Sequence, residues 1–125
     1  MGYRSEVAYV IVFETVDKRD TFIELMRAKN DEYINTALKE VKTLDRERAI
    51  TFHEDQIKWY DSYAEVQAHE QLMINARELF DAATRFIRIG EETDDTEDLV
   101  HDDPDWSKGE VYDLMDIHRS IDIQF

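Results

Sequence analysis

Residues 7–13, Val-Ala-Tyr-Val-Ile-Val-Phe, form the longest apolar run of the chain. A run of this length without polar alternation predicts a strand covered on both faces, hence a central one. Asp17 reads as an N-cap with acidic Asp20 three positions on. Phe22, Leu25, Met26 and Lys29 follow at helical spacing, which predicts a helix over about 18–29. Asn30 and Asp31 mark a break. Ile34, Ala37, Leu38 and Val41 then recur at i, i+3, i+4 and i+7, so helix resumes to about Leu44. Residues 45–48 read as a turn. Ile50 with Phe52, and Ile57 with Trp59, alternate with polar neighbours around His53, Glu54, Asp55 and Gln56. That pattern predicts a β-hairpin, although its turn lacks an Asn-Gly or Asp-Gly pair.

Ser62 and Glu65 have the spacing of a capping box. Val66, His69, Met73, Ala76 and Phe80 then lie on one stripe, widened by Leu72 and Leu79, which predicts a helix over 63–80. Phe86, Ile87 and Ile89 make a short strand that Gly90 ends. In a last strand, Ile117, Arg119, Ile121, Ile123 and Phe125 alternate with Asp116, His118, Ser120, Asp122 and Gln124. The expected order is β-α-α-β-β-α-β, an acidic loop, and a final β. Without the extra helix and the last strand, this is the split βαβ, ferredoxin-like arrangement of an α+β protein. It has a mainly antiparallel sheet with helices on one face.

The chain has 125 residues, the length of one domain, and 42% of them are apolar, enough for a real core. Its net charge of −15 repels nucleic acid and anionic membrane and attracts basic protein surfaces. The charge is unevenly spread. Residues 91–105 hold Glu91, Glu92, Asp94, Asp95, Glu97, Asp98, Asp102, Asp103 and Asp105 with no Lys or Arg. Leu99, Val100 and Trp106 can anchor this segment to the body, and Pro104 stiffens its exit. Such runs are usually solvated loops, so a binding role is weighed against plain solubility. No apolar run approaches the roughly 20 residues of a membrane-spanning helix. The N-terminus lacks a signal-peptide layout. Glu6 stands where a myristoylation signal wants Ser or Thr. With no cysteine, a disulfide scaffold, a thiolate zinc site and a cysteine nucleophile are excluded, and a reducing cytoplasm fits.

Catalytic signatures are missing. The three glycines, Gly2, Gly90 and Gly109, build no phosphate loop, and no H-E-x-x-H or G-x-S-x-G occurs. The acidic run lacks the internal glycine of a calcium loop. No cofactor is therefore expected. His69, on an apolar stripe, reads as a hydrogen-bonded structural histidine, and His53 as a solvated turn residue. Arg119 sits on the apolar face of its strand and needs either a carboxylate or an anionic ligand. Trp59 is expected to face the core. Lys58 and Tyr60 then share the opposite face, as packing residues or as a pair that stacks on and charge-pairs a ligand.

The opening Gly2-Tyr3-Arg4-Ser5-Glu6-Val7 resembles a group of small, mostly uncharacterised bacteriophage and prophage proteins that begin Gly-Tyr-Arg-Ser-Asp/Glu-Val. Residues 57–60 with Tyr63 and Val66, residues 86–91, the acidic segment and residues 119–121 resemble the same group. Residues 30–48 match least. The resemblance implies a source and a genetic setting rather than a mechanism.

Two functions from different classes follow. The first is a non-catalytic, phage-type accessory protein that binds and modulates or inhibits a host protein with a basic surface. Counter-defence or DNA mimicry are its possible settings, in the host cytoplasm. Its binding residues would be Glu91, Glu92, Asp94, Asp95, Glu97, Asp98, Asp102 and Asp103. The second is a small-ligand protein that binds or sequesters a nucleotide signal, using Arg4, Lys58, Tyr60, Arg88 and Arg119, with the net charge against it. An enzyme built on carboxylates and histidine ranks last. Homo-oligomerisation stays open, and neither nucleic acid nor membrane is an expected partner.

Overall fold

A computed structural model describes residues 3–43, 48–92, 94–102, 104–107, 109–113, 115–117 and 121–123. The chain runs β1 (Ser5–Val12), α1 (Val16–Ala28), α2 (Glu32–Glu40), β2 (Ala49–Ile57), α3 (Ala64–Phe80), β3 (Ala83–Ile89) and β4 (Thr96–His101). A short α4 (Glu110–Asp113) and two small strands, β5 (Met115–Ile117) and β6 (Ile121–Ile123), follow. The main sheet is four-stranded in the order β2-β1-β3-β4, with every neighbouring pair antiparallel. Strands β2 and β3 flank β1 and are joined by α3, which makes a βαβ unit split by the first strand. This is an α+β fold compatible with the ferredoxin-like arrangement.

The apolar run lies where its composition demands. Val7 to Phe13 are all fully buried, and β1 has a strand on each side. Val7, Tyr9, Ile11 and Phe13 face α1, α2 and α3, meeting Phe22, Met26, Leu38, Leu72 and Ala76. Ala8, Val10 and Val12 face the other way, onto Ala83, Ile87 and Val111, with Trp106 packed alongside. The three long helices occupy one face, but the second face is not open: Trp106 and Val111 of the C-terminal segment cover it.

Several local expectations are corrected. Residues 49–57 form one strand, not a hairpin, because β2 pairs along its length with β1. The polar residues at 53–56 belong to an exposed strand end, where a register shift opposite Ser5–Val7 coincides with positive φ at Gln56. Such a bulge bends and twists the end of a strand. The capping box does not form: Tyr63 is the N-cap of α3 and makes no side-chain cap bond. Helix α1 is capped by Thr15, whose hydroxyl accepts the Lys18 N–H, which leaves Asp17 in the first turn. Asp31 does cap α2, accepting from Tyr33 and Ile34. Leu79 points to solvent. The acidic segment is not one loop: β4 takes its middle and pairs with β3. At the C-terminus two short strands pair with each other in place of one continuous strand. No described helix is long and apolar enough to cross a membrane.

Candidate functional site

The acidic segment is anchored by two arginines of β3 that point to opposite faces. Arg88, on the helix face, donates to Asp95 at 2.7 and 3.2 Å, to Glu97 at 2.9 Å and to the Ser5 hydroxyl at 3.2 Å. The Tyr3 hydroxyl donates to Asp95 at 2.5 Å and accepts the Glu92 N–H at 3.1 Å. The Arg88 guanidinium, with help from Tyr3, holds the Asp95 carboxyl below the usual carboxylate range. The same contacts, that to Asp95 foremost, push the Arg88 pKa up against the effect of its partial burial. Gly90 allows this approach, since a Cβ there would collide with the Asp95 carboxylate and the Tyr3 hydroxyl. On the other face Arg85, 6% exposed, grips Asp98 through two bonds of 2.9 and 3.0 Å. Its guanidinium also lies over the Tyr112 ring at 5.1 Å. Alternation along β4 sends Glu97 to Arg88 and Asp98 to Arg85.

Many of the expected protein-binding carboxylates are therefore partly engaged. Asp95, Glu97 and Asp98 are ion-paired, Glu91 accepts the Arg4 N–H at 3.1 Å, and Asp102 accepts from Ser107. Glu92 and Asp94 are exposed, without a side-chain hydrogen bond or ion pair among the described residues. Asp103 lies outside the described residues.

The expected ligand-binding set is not brought together. Tyr60 and Arg88 line one groove, whereas Arg4 and Lys58 line another. Tyr60 accepts the Tyr3 N–H at 2.6 Å, and Arg4 donates to the Gln56 carbonyl at 2.8 Å. Arg88 is held by carboxylates in the first groove and Arg4 and Lys58 lie in the second, so the described members do not converge on one phosphate site. Arg119 lies outside the described residues. Trp59 faces the core as expected, packing near Phe52, His69 and Phe86.

The two grooves meet at Trp59, which lines both. The first, about 650 Å³, runs between α3 and the helix face of β3 and β4. Its lining includes Phe86, Leu99, Met73 and Ile74, together with Asp61, Glu70 and Glu97. Burial and the nearby Asp61 and Glu97 push the Glu70 carboxyl up. The second groove, about 770 Å³, carries Glu40, Glu54 and Glu65. Burial, then Glu54 and Glu65, push Glu40 up in the same way. Among the described residues, Asp61, Glu54, Glu65 and Glu70 form no ion pair. Sequence reading missed this cluster, because its members come from α2, β2, the 58–63 loop, α3 and β4.

His69 is the expected structural histidine. It is 2% exposed, its Nδ1 lies 2.6 Å from the Tyr9 hydroxyl, and its ring packs between Phe52 and Trp59. Burial pulls its pKa down to about 4. The Glu40 carboxylate is 3.6 Å from Nε2, too far for a strong hydrogen bond that would offset this. Tyr9 is fully buried, so the pair offers no reactive group to solvent. His53 is not a turn residue: it sits in β2, 2.7 Å from Glu6. Comparison with protein-family models, with curated proteins and with solved structures finds no match to this chain.

Proposed function

We propose that this is a non-catalytic, phage-type accessory protein that binds a basic surface of a host protein in the host cytoplasm and modulates or inhibits it. The observation that carries this reading is the crowding of carboxylates on both sides of Trp59. Two of them, Glu40 and Glu70, are pushed up partly by the like charge of their neighbours. Like charges held together cost free energy that an incoming Lys or Arg relieves. The resemblance of residues 2–7 to phage proteins supplies the biological setting. The surface is broader than residues 91–105 and centres on the 58–63 loop, with Glu97 shared between the two.

The test is capture from bacterial lysate across a salt series, followed by reconstitution with the purified captured protein. The variants are Asp61→Asn, Glu54→Gln, Glu65→Gln and Glu70→Gln combined, and separately Glu92→Gln with Asp94→Asn. Substitutions at the exposed Glu54, Asp61, Glu65, Glu92 and Asp94 usually shift stability by about 0.5 kcal/mol or less each, and Gln at the half-buried Glu70 replaces a carboxyl whose charge burial already disfavours. The fourfold variant should lose the partner, and wild-type binding should weaken as salt rises. Undiminished binding by both variants at physiological salt refutes the reading.

A further inference from the structure

Strand β4 is the outer strand of the main sheet, and among the described residues no strand pairs with its free edge. An open edge carries a row of unpaired N–H and C=O groups, and proteins usually guard it with charged side chains, Pro or a bulge. Thr96–His101 has no Pro and an unbroken register with β3, and its two charges, Glu97 and Asp98, are drawn to Arg88 and Arg85 of β3. Leu99, beside the groove under α3, is 53% exposed. We infer that β4 is a docking edge, where an extended, basic segment of a protein partner adds as a fifth antiparallel or parallel strand. This rests on the proposed binding of a basic partner and states how that partner is held.

The side chains of β4 define the segment. On the helix face a fifth strand would lie beside Glu97 and Leu99, and on the other face beside Asp98 and Val100. It therefore wants cations next to the first of each pair and apolar side chains next to the second. Glu97 and Asp98 keep acceptor capacity beyond their arginine bonds, since a carboxylate has about four lone-pair sites. A cation beside Glu97 also comes under the field of Glu70, which Glu97 already pushes up. In a second copy of the chain, an antiparallel β4–β4 register that sets Glu97 opposite Asp98 is disfavoured by like charge. Main-chain bonds supply affinity in such additions and alternate side chains supply specificity.

The experiment titrates ¹⁵N-labelled protein with the end-capped peptide Thr-Val-Val-Lys-Lys-Thr, which runs antiparallel to β4. A second peptide has the same sequence with alternate amides N-methylated, which removes ladder donors but keeps charge and side chains. The reverse-order peptide tests parallel addition. Binding by either unmethylated peptide should slow hydrogen exchange at the amides within 96–101 that point away from β3, and N-methylation should weaken it at least tenfold. Leu99→Lys should weaken it comparably without unfolding the domain. Equal, salt-sensitive binding of plain and N-methylated peptides, without protection of 96–101, overturns the edge while leaving the acidic-face reading intact. Absence of binding by any peptide overturns the edge, and the acidic face is then judged by its own variants. Slow exchange at the outward-pointing amides of 96–101 without peptide, together with a dimer in sedimentation, overturns it in favour of self-pairing.

Discussion

Acid should destabilise this domain through one buried ring. His69 is 2% exposed, and burial lowers its pKa from 6.5 to about 4. Above the ordinary value, the folded and unfolded chains both hold the imidazole neutral, so the ring contributes no pH dependence. Below it, the unfolded chain takes up a proton that the folded chain refuses until pH is near 4. Stability therefore falls with falling pH by about 1.4 kcal/mol per unit across this window, or about 3 kcal/mol in all. Glu40, which faces the ring, works with the opposite sign. Its raised pKa gives a contribution that is present at low pH and lost as pH rises through the folded value. Its side chain is 41% exposed, so water screens that contribution. The assay is urea denaturation from pH 7.5 to 4.5 on wild type and His69→Gln, since glutamine can keep a partner for the Tyr9 hydroxyl. Wild type should lose about 2–3 kcal/mol more than the variant. Should the variant fail to fold, titration of the His69 ring by NMR in wild type gives the same answer. Parallel stability curves, or a ring that titrates near its ordinary value, would refute the reasoning.

Two further outcomes test the anchoring of the acidic segment. Gly90→Ala should destabilise by about 1–3 kcal/mol in urea denaturation, since the new methyl group displaces the Asp95 carboxylate that Arg88 and Tyr3 hold together. No change would mean that this cluster is loose. Arg85→Met should cost about 1–3 kcal/mol in the same assay, less than a fully buried pair, because the abandoned Asp98 side chain is 37% exposed and can reach water. A loss below about 0.5 kcal/mol would place the Arg85–Asp98 contact among ordinary surface pairs.

The anchored acids bear on what charge means here. Nine acidic residues in fifteen positions look like a free acidic strap in sequence. In three dimensions Arg85 and Arg88 pair with three of them, Asp95, Glu97 and Asp98, converting the middle of the segment into an edge strand. The carboxylates without an ion pair among the described residues, Glu54, Asp61, Glu65 and Glu70, gather instead around Trp59, in grooves that Arg4, Lys58 and Arg77 also line.

Residues 7–13 by themselves determined the centre of the fold, because a run with no polar face can be satisfied only between two covering layers. The helical stripes likewise determined α1, α2 and α3 to within a few residues, since apolar periodicity and burial are the same fact seen in one and in three dimensions. His69 was legible for the same reason: a lone imidazole on such a stripe must be buried and hydrogen-bonded. Tertiary structure decided the rest. The polar stretch from His53 to Gln56 looked like a turn, yet pairing with β1 carries it as strand, because ladder hydrogen bonds form regardless of which side chains meet solvent. Ser62 and Glu65 had capping spacing, but helix α3 begins at Ala64, one position too late for Ser62 to be its N-cap. The clustering of Glu40, Glu54, Glu65, Asp61 and Glu70 was not legible at all, since like charge in space depends on which elements pack together. Local pattern encodes what each segment must bury. Only the assembled sheet and helices set which exposed charges become neighbours, and those neighbours carry the proposed function.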